Sequence, residues 1–385
     1  MTTYCLKLPP AVYSGEGAFG KIPEILAANH VSKAAVFTDQ GIEKLPFYQL
    51  FEEQLEKAGI TWDVFDEFPA EPTYMQAQQI IDSFRSSKAD IIIALGGGSV
   101  LDTAKLASMC DTDDYTVKDL LDNPSRAVKT RKMIAIPTTA GTGAEATPNA
   151  IVGVPEKETK IGIVNDNSIS DYVILDPETV RNLPRKIAAS TGLDTLCHAI
   201  ECYTGKKANP LSDTFALAAL DVVMNELERA CDDPDDIEAK IDMQRAAFYG
   251  GIAITASGTN GVHGLSYPLG GKYHIAHGVS NAMLLVPVMK FNEPEIRPYL
   301  AKVYDAVYHG EDLLKEEADK SAYMIEWMDR MVKHLDIPTS LAEFNVPKED
   351  LEGLVKAGMD QQRLLSNNRR EITADDARNI YLEVL

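Results

Sequence analysis

The stretch GVHGLSYPLGGKYHIAHGVSNA (261–282) gathers three of the chain's seven histidines, His263, His274 and His277, among glycines and other small residues. From Ala253 to Pro287 the one formal charge belongs to Lys272. Imidazoles in such neutral surroundings suit a cation whose charge must be balanced from elsewhere in the chain. STGLDTLCHAIE (190–201) supplies the balance, because Asp194 and His198 stand four residues apart and so share one helix face. Joined to His263 and His277 they give one carboxylate and three imidazoles, a donor set suited to a divalent first-row metal, with iron, zinc and other ions all compatible. One carboxylate leaves such an ion a net charge of about +1, which an alkoxide would neutralise in a dry pocket.

Two glycine turns carry a second chemistry. GGGSVLDTAK (96–105) follows an apolar run and opens a helical one. Leu101 stands where a dinucleotide fingerprint needs its third glycine, and no Gly-Lys-Ser follows, so neither standard phosphate motif fits. Consecutive glycines at a helix start still let backbone N–H groups approach a phosphate. Ser99 and Asp102 also have capping-box spacing, which leaves a plain helix start as the alternative. PTTAGTG (137–143) repeats the strand-to-turn pattern, and two such turns in one sheet describe a ligand crevice. Asp39 ends another strand, where a carboxylate either accepts ribose hydroxyls and repels a 2′-phosphate or caps its own turn.

The elements that must position these groups change character along the chain. KAAVFTDQG (33–41) and ITWDVFDEF (60–68) read as strands, and 45–58 and 73–87 as helices. The apolar runs in 89–109 and 132–147 lead into the glycine turns. Strands apolar throughout and separated by helices predict a parallel sheet covered on both faces. Beyond it, helical periodicity dominates at 188–203, 211–230, 237–256, 323–335 and 374–382. We therefore expect an α/β dinucleotide-binding domain over 1–180 and an all-α metal-binding domain over 181–385. CDDPDDIEAK (231–240) reads as a solvated helix junction.

The 385 residues suit about two domains. A net charge of −21 argues against nucleic-acid and anionic-lipid partners. No signal peptide and no 18-residue apolar run is visible. Five scattered cysteines without a CxxC pair fit reduced thiols in the cytoplasm, with Cys197 and Cys202 as buried helix positions.

Taken together, FTDQG, GGGSVLDTAK, TTAGTGAEAT, STGLDTLCHAIE, the histidine-rich stretch and the late NNRR make the chain resemble the iron-containing (group III) alcohol dehydrogenases over nearly its whole length. The resemblance implies an N-terminal NAD-binding domain, a helical metal domain, catalysis in the cleft between them, and an architecture related to dehydroquinate synthase. It implies Fe2+, with Zn2+ or another divalent ion as the alternative, on Asp194, His198, His263 and His277. Gly97, Gly98, Ser99 and Asp102 would meet the pyrophosphate and nicotinamide side of NAD. Thr138, Thr139, Thr142 and Lys160 would line its other contacts, Asp39 would hold the adenosine ribose, and Asn149 and Ile254 would face the substrate. A homodimer or larger homo-oligomer is also implied.

Three departures from the family pattern stand out. GGGSVLD replaces the frequent GGGSPxD, NNR replaces NPR, and HGLSY places Tyr267 where a second histidine is frequent. A phenol of reference pKa ~10 is a poor general base near neutral pH, so His274 becomes the better candidate for relaying the alcohol proton, with packing beside the cofactor as its alternative role. The expected reaction is reversible hydride transfer between a small, polar alcohol and NAD. A lyase of the dehydroquinate synthase type would need several cationic residues for its anionic substrate, and 253–287 offers only Lys272. A non-catalytic metal or nucleotide sensor would bind both cofactors and form no NADH.

Overall fold

The structure, a computed structural model, describes residues 3–385; Met1 and Thr2, which open the expected N-terminal domain, lie outside the described residues. The chain divides into two compact units. One holds residues 7–154 and 161–183, and the other holds 155–160 and 184–385 with the described part of the N-terminus up to Leu6.

In the first unit the apolar runs form strands β1 (Ala11–Ser14), β2 (Lys33–Phe37), β3 (Thr61–Phe65), β4 (Ile91–Gly96) and β5 (Lys132–Pro137). Two further strands, β6 (Asn149–Val154) and β7 (Thr159–Val164), pair separately, and β8 (Tyr172–Leu175) completes a six-stranded sheet in the order β1-β8-β5-β4-β2-β3. All of its pairings are parallel. Every residue of β4 is buried, as a sheet covered on both faces requires, whereas edge strand β3 leaves Val64 exposed. The covering helices are α1 (Ile22–Ala28), α2 (Pro46–Ala58), α3 (Tyr74–Ser87), α4 (Gly98–Cys110), α5 (Val117–Asp122) and α6 (Glu178–Arg181). A Thr73–Gln76 capping box starts α3, and α4 is buried from Val100 to its last residue. β1, β8 and the β6–β7 pair fall outside the strands read from sequence; β1, β6 and β7 are interrupted by partly exposed positions and lack the continuous buried run of β4.

The second unit is helical: α7 (Arg185–Thr204), α8 (Pro210–Asp232), α9 (Ile237–Ser257), α10 (Gly261–Tyr273), α11 (His277–Val307), α12 (Glu317–His334), α13 (Leu351–Met359), α14 (Gln362–Leu365) and α15 (Ala374–Leu382). The acidic junction is as expected, with residues 232–235 exposed and Asp236 capping α9 through Ala239 N. Helices α10 and α11 lie over 261–307, where the sequence pattern predicts none. Pro268 interrupts α10, and Pro287, Pro294 and Pro298 lie inside α11, so local propensity argues against both. Their glycines serve close packing instead. A Cβ on Gly278 would sit 2.2 Å from the Ser190 carbonyl oxygen, so only glycine lets the start of α11 reach α7. Among the described residues no helix is long and apolar enough to cross a membrane.

Candidate functional site

The contact of α11 with α7 places the first residue of α11, His277, beside Asp194. Asp194 Oδ1 lies 3.6 Å from His198 Nε2, 3.7 Å from His263 Nε2 and 3.6 Å from His277 Nε2. One donor atom from each of the four residues falls within 4.8 Å of the others, a spacing that could hold one metal ion. Asp194, His198 and His263 are buried, while the His277 side chain keeps 28% exposure and marks the open side. The rings of His198 and His263 stack with centroids 4.7 Å apart. Burial opposes the Asp194 charge, but the three imidazoles and the Asn281 amide outweigh it and hold the carboxyl at about 2. The packed surroundings push His277 down, against the pull of Asp194, which favours a neutral ring with a lone pair to give.

Two residues absent from the sequence reading complete this cluster. Glu201 is fully buried on the Asp194–His198 face of α7, and its Oε2 meets His263 Nδ1. Its Oε1 accepts from Val262 N at 2.7 Å and Asn260 N at 3.2 Å, which ties the start of α10 to α7. Burial alone would lower the His263 pKa, and Glu201 reverses this and raises it. A carboxylate on Nδ1 fixes the tautomer that presents Nε2 to an ion. Asn281, one turn after His277 on α11, donates through Nδ2 to Asp194 Oδ1 at 2.7 Å. The signal for both was spacing: Glu201 is seven residues after Asp194, and Asn281 four after His277.

NNRR buttresses the same helices. Asn367 Nδ2 donates to the carbonyls of Ser257, Gly258 and Thr259 at 3.0–3.2 Å, and Arg369 reaches the carbonyls of Thr204 and Gly205. Lys272, the one charge in the glycine-rich region, pairs with Glu158 and Asp350.

In the first unit, Gly96 is in register with Pro137, so both glycine turns leave adjacent strands at the same sheet edge. They touch there: a Cβ on Gly98 would lie 2.9 Å from Thr142 Cγ2, and one on Gly97 3.5 Å from Thr139 Cγ2. Thr138 N donates to the Gly96 carbonyl at 3.1 Å. The capping-box alternative for Ser99 and Asp102 does not hold. Gly97 is the N-cap of α4 and makes no side-chain cap, and Ser99 Oγ accepts from Glu71 N instead. Asp102 accepts from Lys105 Nζ at 3.2 Å and from Ile151 N at 3.0 Å. Lys105, fully buried, also donates to the Asn149 carbonyl at 2.7 Å. Burial works against both charges of that pair, raising the Asp102 carboxyl and lowering the Lys105 ammonium. Asp39 Oδ1 accepts from Gly41 N at 2.8 Å and Ile42 N at 3.0 Å, so the carboxylate does cap its turn.

Other sequence candidates are spread more widely. Tyr267 is buried with its ring 6.0 Å from that of His277 and 6.4 Å from that of His263. Lys160 packs on α10, where a Cβ on Gly270 would lie 2.5 Å from its Nζ, and its charge bears on His277. His274 is exposed at the end of α10 with a left-handed φ of 55°. Asn149 opens β6 and Ile254 lies in α9, both partly exposed.

A parallel sheet with glycine turns at one edge and a helical unit with an Asp/His₃ cluster make a two-part architecture, one part suited to a phosphate-bearing ligand and the other to a metal ion. Residues 9–177 match the family Iron-containing alcohol dehydrogenase, and residues 188–385 match Fe-containing alcohol dehydrogenase family, C-terminal. The chain belongs to the iron-containing alcohol dehydrogenase family and is an enzyme of that class. It is 33% identical to long-chain-alcohol dehydrogenase 1 of Geobacillus thermodenitrificans, covering 99% of this chain and 96% of that one. It is 30% identical to lactaldehyde reductase of Escherichia coli, covering 97% of both. The solved structure of a 1,3-propanediol oxidoreductase aligns over 100% of both chains with a TM-score of 0.92 and 25% identity. That of sulfoacetaldehyde reductase from Bifidobacterium kashiwanohense in complex with NAD+ aligns over 100% of this chain and 99% of that one, with a TM-score of 0.85 and 26% identity.

Proposed function

We propose that this enzyme transfers hydride reversibly between a small, polar alcohol and NAD, using a divalent ion, Fe2+ in the first instance, held by Asp194, His198, His263 and His277. The observation that carries the reading is the convergence of those four donor atoms within 4.8 Å on packed helices. Their chemistry, one carboxylate oxygen and three imidazole nitrogens, fits such an ion. When bound, the ion supplies a Lewis acid for the alcohol or carbonyl oxygen, and NAD supplies the hydride acceptor.

The chain's own groups do the rest. Asp194 and Glu201 balance positive charge, and Glu201 keeps the His263 ring turned toward the ion. Gly97, Gly98 and Ser99 at the start of α4 offer backbone N–H groups to a pyrophosphate, beside Thr138, Thr139 and Thr142. Asp102 serves the nicotinamide side, Asp39 the adenosine ribose, and Lys160 a further cofactor contact. Asn149 and Ile254 bound the substrate, and a polar Asn149 favours an alcohol with a second polar group. Tyr267 shields the metal ligands, and the exposed His274 passes the alcohol proton to solvent.

We take residues 1–180 as the NAD-binding part and 181–385 as the metal-binding part of a cytoplasmic homodimer or larger homo-oligomer. Free cysteines are in keeping with that compartment. Ferrous-loaded protein assayed for NADH with short diols, hydroxy acids and simple alcohols should respond most strongly to a diol or hydroxy acid. Tight binding of metal and NAD with no NADH from any alcohol would leave a sensor as the better account.

A further inference from the structure

Lys272 carries the one formal charge between Ala253 and Pro287, and the reaction proposed above gives it no task. It faces the turn that joins β6 to β7. Its Nζ lies 3.3 Å from Glu158 Oε2 and 3.0 Å from Asp350 Oδ2, and the neighbouring Tyr273 hydroxyl also meets Asp350. Residues 155–160, at the tip of that strand pair, group with the helical unit. Gln361 Nε2 adds a hydrogen bond to Thr159 Oγ1 at 3.1 Å.

The steric fit beside that ion pair is close. A Cβ on Gly271 would sit 2.3 Å from Thr159 Cα and 2.7 Å from its N and carbonyl carbon, backbone atoms that cannot swing aside as a side chain can. A Cβ on the preceding Gly270 would lie 2.5 Å from Lys160 Nζ and 2.6 Å from its Cε. Lys160 is 6% exposed, so its stem is packed, and its charge bears on His277. Two adjacent glycines near the end of α10 thus make a notch that seats Thr159 and Lys160, and Lys272 and Gln361 hold the turn in it. We propose that Gly271 and Lys272 are positioning residues for the cofactor: they seat residues 158–160 on α10 and so fix where Lys160 presents its ammonium. This rests on the reading of Lys160 as a cofactor contact. The two contributions differ in size. An ion pair whose Glu158 is 60% exposed is worth little, so its loss should weaken NAD binding about twofold to fivefold. A side chain on Gly271 must push the turn outward by about an ångström, and a misplacement of that order should cost at least about tenfold.

The test is NADH binding to the full-length, ferrous-loaded protein, followed by fluorescence, with KM for NAD, kcat and metal content measured on the same samples. Gly271→Ala should weaken NADH binding at least about tenfold and Lys272→Met about twofold to fivefold, with the loss in KM rather than kcat and metal content unchanged. Lys272→Arg, which keeps the charge, should restore parent-like binding. On a Lys160→Met background neither Gly271→Ala nor Lys272→Met should weaken binding further, because the group they position is gone. A merely structural role would add its full effect there. Should Gly271→Ala misfold, Lys272→Met and its double variant carry the same comparison. Parent-like NADH affinity in Gly271→Ala and Lys272→Met, or losses undiminished on the Lys160→Met background, would overturn the proposal while leaving Lys160 as a contact. Parent-like affinity in Lys160→Met itself would overturn both.

Discussion

The Glu201 carboxylate grips the Nδ1 side of the His263 ring, while Nε2 of that ring lies 3.7 Å from Asp194 Oδ1. One imidazole is thus held between a carboxylate that orients it and a carboxylate that shares its proposed ion. The pairing alters the charge count made from sequence, where Asp194 alone left a divalent ion at about +1; a second buried carboxylate brings the centre close to neutral before substrate arrives. Glu201→Gln keeps the shape and weakens the orientation. Metal affinity should fall about tenfold to a hundredfold with helical content unchanged, measured by chelator competition and circular dichroism. Parent-like affinity would reduce Glu201 to a helix tie.

Asp39 has to be tested with its capping bonds in mind. Asp39→Asn retains an acceptor for Gly41 N and Ile42 N but loses the charge that would repel a 2′-phosphate. It should narrow the preference for NAD over NADP in kcat/KM while leaving thermal stability near that of the parent. Asp39→Gly should narrow the preference and also lower stability. A ratio unchanged in both would remove Asp39 from the ribose site.

Glu145, two residues past the second glycine turn, is buried, and burial pushes its carboxyl up to about 7 from an ordinary 4.5. Its proton is held more tightly in the folded chain than in the unfolded one. The resulting stability is complete below pH 4.5 and is lost as pH rises through about 7. Glu145→Gln removes that dependence, so the variant should gain roughly 3 kcal/mol on the parent across this window. Thermal melts of both proteins from pH 4.5 to 8 check it; parallel curves would mean that the carboxyl titrates normally.

His274 occupies a left-handed backbone position, so Asn, which tolerates that conformation, is a cleaner replacement than Ala. His274→Asn should bind metal and NAD as the parent does and slow alcohol oxidation chiefly below pH ~8, where hydroxide cannot substitute. A parent-like pH–rate profile would route the proton elsewhere, and loss of metal would make His274 a ligand.

What the sequence disclosed divides along physical lines. β4, and β2 after Lys33, are apolar because they are buried on both faces, and that pattern is readable without a structure. The proposed metal donors were readable because Asp194 and His198 announce a helix face and the remaining histidines are few. α10 and α11 were hidden, since glycine and proline signal turns locally while here they permit close helix packing. Glu201 and Asn281 were overlooked although their spacing marks the right faces, because their function depends on contacts between helices. Ser99 and Asp102 show the reverse case: a good local capping pattern yields to tertiary partners, Glu71 and Lys105.

The central claim is that one ion depends on four residues from three helices. Elemental analysis of the purified parent and of Asp194→Ala, with NAD-linked alcohol oxidation assayed on the same samples, tests it most directly. The account predicts about one metal per chain in the parent and loss of both metal and activity in the variant, with NAD binding preserved. Full metal content in Asp194→Ala would contradict it.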